Sequence, residues 1–145
     1  MAVSQPENER NIFSRTAESG GHMDVFAELK KILEELLDLE DREITPETLL
    51  IQDLGAESID LLELAVTINS RFRITVKDDE IFLTRFRLYS TEAQQQGKDT
   101  VHYIGGKYPF LGEERIAEIM AHIKEGPQLK IKDLISYVTY RSQGV

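Results

Sequence analysis

From residue 25 onward, apolar positions recur at helical intervals. Val25, Leu29, Ile32, Leu33 and Leu36 follow one another by four, three, one and three, with Lys30, Lys31, Glu34 and Glu35 between them. That spacing predicts an amphipathic helix opening at Asp24. The acidic run Asp38-Leu39-Glu40-Asp41 ends it, and a long loop follows in which Thr45 can cap a short turn with Pro46 at its first position. Ser58 stands where an N-cap is wanted for the next helix, Asp60 falls in its first turn, and Leu61, Leu64, Ala65, Ile68 and Phe72 form one face. A second stripe on that helix, Ile59, Leu62 and Val66, implies contact with more than one neighbour, or with a neighbour and a ligand.

Beyond Phe72, Ile74-Thr75-Val76 alternates like an extended connection, and Asp78-Asp79-Glu80 opens a further helix with Ile81 and Phe82 that runs on through Phe86 to Tyr89. Gln94-Gln95-Gln96-Gly97-Lys98 stops it. The stretch Thr100 to Phe110 is β-prone around Val101 to Ile104 but broken by Gly105, Gly106 and Pro109, which predicts an ordered loop or short hairpin. Ile116, Ile119, Met120 and Ile123 predict another helix, closed by Gly126-Pro127, and Ile131, Leu134, Ile135 and Val138 a last one. Residues 1–22, rich in Ser, Glu, Asn and Gln and ending near Gly20-Gly21, are expected to be a flexible tail, native or left by cloning. Residues 23–145 are expected to be a single domain.

Charge adds a division that the periodicity does not show. The chain has 145 residues, 17 Lys+Arg and 26 Asp+Glu, for a net charge of −9. That balance excludes a general nucleic-acid binder. Residues 1–22 carry a net −1, residues 24–83 a net −10 and residues 84–145 a net +2, so the acidity belongs to the middle sixty. The absence of cysteine excludes disulfides, Cys-ligated metal and a protein thiol nucleophile. Sulfur chemistry, if any, must arrive on a cofactor. No apolar run approaches the roughly 20 residues of a membrane span, and the N-terminal stretch has neither a secretory h-region nor an Arg-rich presequence character. A soluble, cytoplasmic protein without stable membrane insertion is expected.

The segment Asp53-Leu54-Gly55-Ala56-Glu57-Ser58-Ile59-Asp60-Leu61-Leu62-Glu63-Leu64 resembles the signature of acyl carrier proteins, in which an Asp-Leu-Gly turn leads to an Asp-Ser-Leu triplet, an acidic residue and a Glu-Leu. The likeness extends through Phe72, continues over Ile74 to Glu80 as the approach to a short third helix, and resumes at Ile131 to Val138 as a fourth. It implies an all-α fold, an acyl-carrier-like four-helix bundle, with 4′-phosphopantetheine attached covalently to Ser58. Glu57 stands in place of the usual Asp and Ile59 in place of Leu. Residues 84 to about 127 have no counterpart in short family members, and form an additional, partly helical insertion between the third and last bundle helices.

The residues carry this chemistry independently of the family. A serine at a helix N-terminus places an attached phosphodiester against free backbone N–H groups and the positive end of the helix dipole. Serine at such a position also serves simply as a cap, worth about 1 kcal/mol. Asp53, Glu57, Asp60 and Glu63 form an acidic approach to Ser58: either a dipole-favouring, solvated face or a recognition surface for basic patches on partner enzymes. Leu54, Ile59, Leu62 and Val66 are either ordinary core or, as the resemblance implies, the lining of an acyl-chain crevice. Aromatic residues Phe86, Tyr89, Tyr103, Tyr108 and Phe110 cluster in the insertion, as a satellite core, an extended crevice or a private docking face.

Three function classes follow. The first is a monomeric carrier presenting acyl thioesters to fatty-acid, lipid or polyketide enzymes, or a peptidyl or aminoacyl carrier, modified by a phosphopantetheinyl transferase and loaded by acyl-transfer enzymes. The second is a carrier-like helical adaptor acting through protein–protein contact. The third, an enzyme, is disfavoured: His22, His102 and His122 are scattered, no Gly-x-Ser-x-Gly elbow and no metal-ligand spacing is present, and no catalytic or metal residue is assigned.

Overall fold

Asp24 accepts a hydrogen bond from the Ala27 amide at 3.2 Å and starts α1 (Val25–Leu37), whose Leu29, Ile32 and Leu33 are buried. The computed structural model describes residues 24–39 and 42–143, so the predicted tail over 1–22 and the pair Glu40-Asp41 lie outside the described residues. The chain continues through a long loop into α2 (Ser58–Phe72), α3 (Asp78–Ile81), α4 (Phe86–Gln95), α5 (Thr100–Lys107), α6 (Glu113–His122), a 3-10 turn (Ile123–Glu125) and α7 (Ile131–Ser142). Among the described residues there are helices and no strands, and the fold is all-α.

α1 packs on α2 and α7, and α3 on α2 and α7, forming the four-helix bundle. Leu29, Ile32, Ile68, Leu134 and Val138 are fully buried in its centre. Truncating any of the larger of these to Ala costs about 2–5 kcal/mol. The loop ahead of α2 is tied to the approach to α7 by backbone hydrogen bonds: Leu50 N donates to Leu129 O at 2.9 Å and Ile131 N to Thr48 O at 3.0 Å. Outside these bonds, Lys130 and Lys132 clasp Glu47 at 2.7 and 3.0 Å. As sequence reasoning expects, the Thr45 hydroxyl caps the Pro46 turn, accepting from Glu47 N at 3.2 Å.

α4, α5 and α6 pack on one another around a second core of Phe86, Ile104, Tyr108, Leu111, Ile116 and Ile119. Two expectations are corrected here. The helix opening at Asp78 does not run through to Tyr89: it ends at Ile81, Leu83 takes a left-handed φ of 56°, and α4 begins afresh at Phe86. The stretch from Thr100 is neither a loop nor a hairpin but α5. Its β-prone residues sit at helical spacing, Val101, Ile104 and Tyr108, and burial of Ile104 and Tyr108 overrides their strand preference. Of the two glycines inside α5, Gly105 faces α6, with Ile116 Cδ1 3.7 Å from the position its Cβ would take, and Gly106 faces open space.

The two cores are joined by rings and by one ion pair. Tyr108 meets Phe110 edge-on at 5.9 Å, and Phe110 meets Tyr137 of α7 at 5.0 Å. Burial pushes both phenols, Tyr108 and Tyr137, up to about 12. Arg115 of α6 reaches Asp133 of α7 through two parallel bonds, Nε to Oδ1 at 2.9 Å and Nη2 to Oδ2 at 2.8 Å, and donates to Gln128 O at 2.6 Å. Asp133 also accepts from Lys130 N and so starts α7. With side chains 10% and 2% exposed, this pair is a buried one that fixes the insertion's orientation.

Candidate functional site

The segment before α2 explains its own residue types. Leu49 N donates to Asp53 Oδ2 at 2.8 Å while Asp53 N returns to Leu49 O at 3.0 Å, closing a turn that Arg42 braces by donating to Asp53 O at 2.6 Å. Leu54 then plugs into the core, 7% exposed. Gly55 takes φ +72°, a left-handed backbone that side-chain-bearing residues avoid, and turns the chain toward the helix. The Asp-Leu-Gly order is thus a carboxylate to hold the turn, an anchor and a reversal.

Ser58 was expected to be the N-cap, and the structure moves the cap one residue back. Glu57 has the extended cap backbone, its amide donates to Asp60 Oδ2 at 2.8 Å, and Ser58 is the first helical residue. Because Asp60 satisfies the cap amide, the Ser58 hydroxyl is not spent on capping and stands exposed at the start of a 15-residue helix. The first i to i−4 bond is Leu61 N to Glu57 O, so the Ser58 and Ile59 amides precede it without a helical partner. A phosphodiester on Ser58 therefore finds donors and a favourable dipole there. The residues fit such a group.

The four acidic residues do not play equal parts. Asp53 and Asp60 both spend a carboxylate oxygen on backbone amides, which gives each a structural task. Glu57 and Glu63 are exposed, Glu63 on the outward face of α2. The four apolar residues part company as well. Leu54 is core, whereas Ile59, Leu62 and Val66 are 66%, 58% and 70% exposed and form an apolar stripe on the surface beside Glu63. None of the four lines the cavity of about 440 Å³ that lies beside α2; Leu61 of that helix does, with residues of the insertion. Sequence reasoning placed Leu61 in the core and missed this cavity, because its walls are brought together from positions far apart in the chain.

A helical carrier with an exposed, uncommitted serine at a helix start is the class that this fold and site define. The family model described as the phosphopantetheine attachment site matches residues 27–85, which contain most of α1, all of α2 and α3, and Ser58. The acyl carrier protein of Helicobacter hepaticus is 33% identical over 82 residues, 57% of this chain and 95% of that protein. That of Thermotoga maritima is 36% identical over 58 residues, 40% of this chain and 72% of that protein. That of Wolinella succinogenes is 33% identical over 58 residues, 40% of this chain and 76% of that protein. No solved structure matches the chain. The chain belongs to the acyl carrier protein family, whose cofactor is 4′-phosphopantetheine. Among the described residues no helix is long and apolar enough to cross a membrane.

Proposed function

We propose that Ser58 carries the 4′-phosphopantetheine arm and that the chain presents acyl intermediates to biosynthetic enzymes of fatty-acid, lipid or polyketide type. The observation that carries this reading is the exposed Ser58 hydroxyl, freed from capping by Asp60, at the start of α2 within the matched segment. In the modification, the Ser58 oxygen bonds to the phosphorus of coenzyme A's pantetheine phosphate and adenosine bisphosphate leaves. The hydroxyl proton passes to a base of the transferase, since no histidine neighbours Ser58 in sequence. Once attached, the arm supplies the thiol that a chain without cysteine lacks.

In this reading Ile59, Leu62 and Val66 give partner enzymes an apolar contact, and Glu57 and Glu63 give their basic patches a charged one. Long-range attraction then speeds encounter while the small apolar area keeps residence short. The acidic block from residue 24 to 83 supplies the field. Incubation with a phosphopantetheinyl transferase and coenzyme A, followed by intact-mass measurement, is expected to show one arm added to the wild type and none to Ser58→Ala. An arm retained by Ser58→Ala sinks the assignment.

A further inference from the structure

Another cavity, of about 380 Å³, is lined entirely by the insertion, between α4 and the stretch that runs from α6 into the 3-10 turn. Arg87, Ser90, Thr91 and Gln94 line it from α4, and their spacing of three, one and three residues puts them on one helical face. Met120, Ile123 and Lys124 line the opposite side, and Phe86 adds an aromatic wall. The size falls within the range of about 300–1,000 Å³ of small-molecule sites, in which an apolar lining is paired with a few polar groups that fix orientation. Both ionisable groups of this lining are cations, in a chain whose net charge is −9. The nearest carboxylates on these elements are turned to other partners: Glu92 accepts from the Tyr103 hydroxyl at 2.8 Å, Glu118 from Arg115 at 2.7 Å, and Glu125 pairs with His122 at 2.9 Å. The Arg87 guanidinium is held in place through one Nη2 bond to Ile123 O at 3.0 Å, next to Lys124 in the chain, and its other N–H groups are left for a ligand. The hydroxyls are uncommitted as well. Thr67 of α2 spends its hydroxyl on the Glu63 carbonyl one turn back, at 2.8 Å, whereas among the described residues no such bond ties Ser90 or Thr91 of α4.

We propose that this cavity binds a small organic phosphate monoester, with the phosphoryl group between Arg87 and Lys124, the Ser90, Thr91 and Gln94 side chains donating to its oxygens, and the organic part against Phe86, Met120 and Ile123. Two cations match the nearly two negative charges that such a group carries near neutral pH, and the guanidinium fork matches its oxygens. A carboxylate or a sulfate ester brings a single charge and leaves one cation unbalanced. Every lining residue lies outside residues 27–85, so the site stands whether or not Ser58 carries an arm.

The test is a titration of the full chain with phenyl phosphate, phenyl sulfate and benzoate, well above the phosphate's second pKa of about 6, read by amide and methyl chemical shifts. The three probes share one ring and differ in their anionic group, only the phosphate being doubly charged. Phenyl phosphate is expected to saturate with a Kd at or below about 1 mM, to move the Met120 and Ile123 methyls and the α4 amides from Arg87 to Gln94, and to bind at least about fivefold more tightly than the other two. Arg87→Gln and Lys124→Gln should each weaken it by about tenfold. Lys98→Gln, in the insertion but outside this cavity, should leave it unchanged. Should Arg87→Gln loosen α4, the exposed Lys124→Gln decides. No saturation by about 10 mM, equal affinity for the three probes, shifts confined to other parts of the chain, or binding indifferent to Lys124→Gln overturns the site. An equal loss in Lys98→Gln means diffuse attraction and overturns it as well.

Discussion

The bundle and the insertion are both helical, yet they keep their shape by different means. In the bundle, aliphatic side chains from α1, α2 and α7 meet at the centre, and the Asp24 cap and the Asp60 carboxylate, bonded to the Glu57 cap amide, set the helix starts. The insertion has a smaller core and leans on the bundle through the rings of Tyr108, Phe110 and Tyr137 and through the Arg115–Asp133 pair. Glu57 and Glu63 near Ser58 are exposed on the bundle's surface, while Phe86, Ile119 and Ile123 of the insertion face the cavity beside α2. The added piece thus leaves the surface around Ser58 uncovered.

Breaking the joint should produce the largest effect. Arg115→Ala leaves the Asp133 carboxylate buried without its cation, and removing one member of a buried pair costs about 3–5 kcal/mol. Denaturant unfolding should register this loss, and hydrogen exchange should quicken in α4 to α6 well before α1 and α2. Equal quickening in both regions would mean that insertion and bundle are one cooperative unit. Arg115→Lys should recover little, because an ammonium cannot make the two parallel bonds.

High pH attacks the same joint through its phenols. Tyr108 and Tyr137 ionise near 10 when unfolded and near 12 when folded, so the folded state holds their protons more tightly. Their contribution is complete below pH 10 and is lost as the pH climbs toward 12. Thermal unfolding across that interval should show a falling midpoint, with Tyr137→Phe flattening the decline.

A subtler contrast lies within the acidic face. Asp60→Ala removes the carboxylate that accepts from the Glu57 amide and should cost about 1 kcal/mol of stability. Glu63→Ala should change stability by less than about 0.5 kcal/mol, yet slow encounter with basic partner enzymes, most visibly at low salt. Stopped-flow association rates over a salt series, set beside melting curves, distinguish the two roles.

A weak effect at low pH belongs to Glu47, whose hydrogen bonds to Lys130 and then Lys132 lower its pKa to about 2. The stabilisation is present above the ordinary value of 4.5 and fades as the pH falls toward 2. Since the Glu47 side chain is 61% exposed, solvent screening holds the contribution of Glu47→Gln below about 1 kcal/mol, and salt should erase it.

What was legible in the sequence follows from whether the information is local. α1, α2, α6 and α7 announce themselves because each has an apolar stripe of four or five residues at helical spacing. α5 does not, since Val101, Tyr103 and Ile104 prefer strands and only packing between α4 and α6 makes the helical spacing count. At the site, Ser58 could be singled out from its neighbours in sequence, but the cap at Glu57 depends on which way Asp60 turns. The cavity beside α2 was hidden because Ile51 and Leu61 stand far along the chain from Ile119, Ile123 and Leu129. The Arg115–Asp133 pair was equally hidden, as one charge among many in the sequence.

The central claim is that this chain works as a carrier through Ser58. Its most direct test is to recover the protein from its own cells and fragment it intact in a mass spectrometer. The account predicts a 4′-phosphopantetheine arm, free or bearing an acyl group, localised to Ser58. Protein recovered wholly unmodified at Ser58, or modified at another residue, would contradict it.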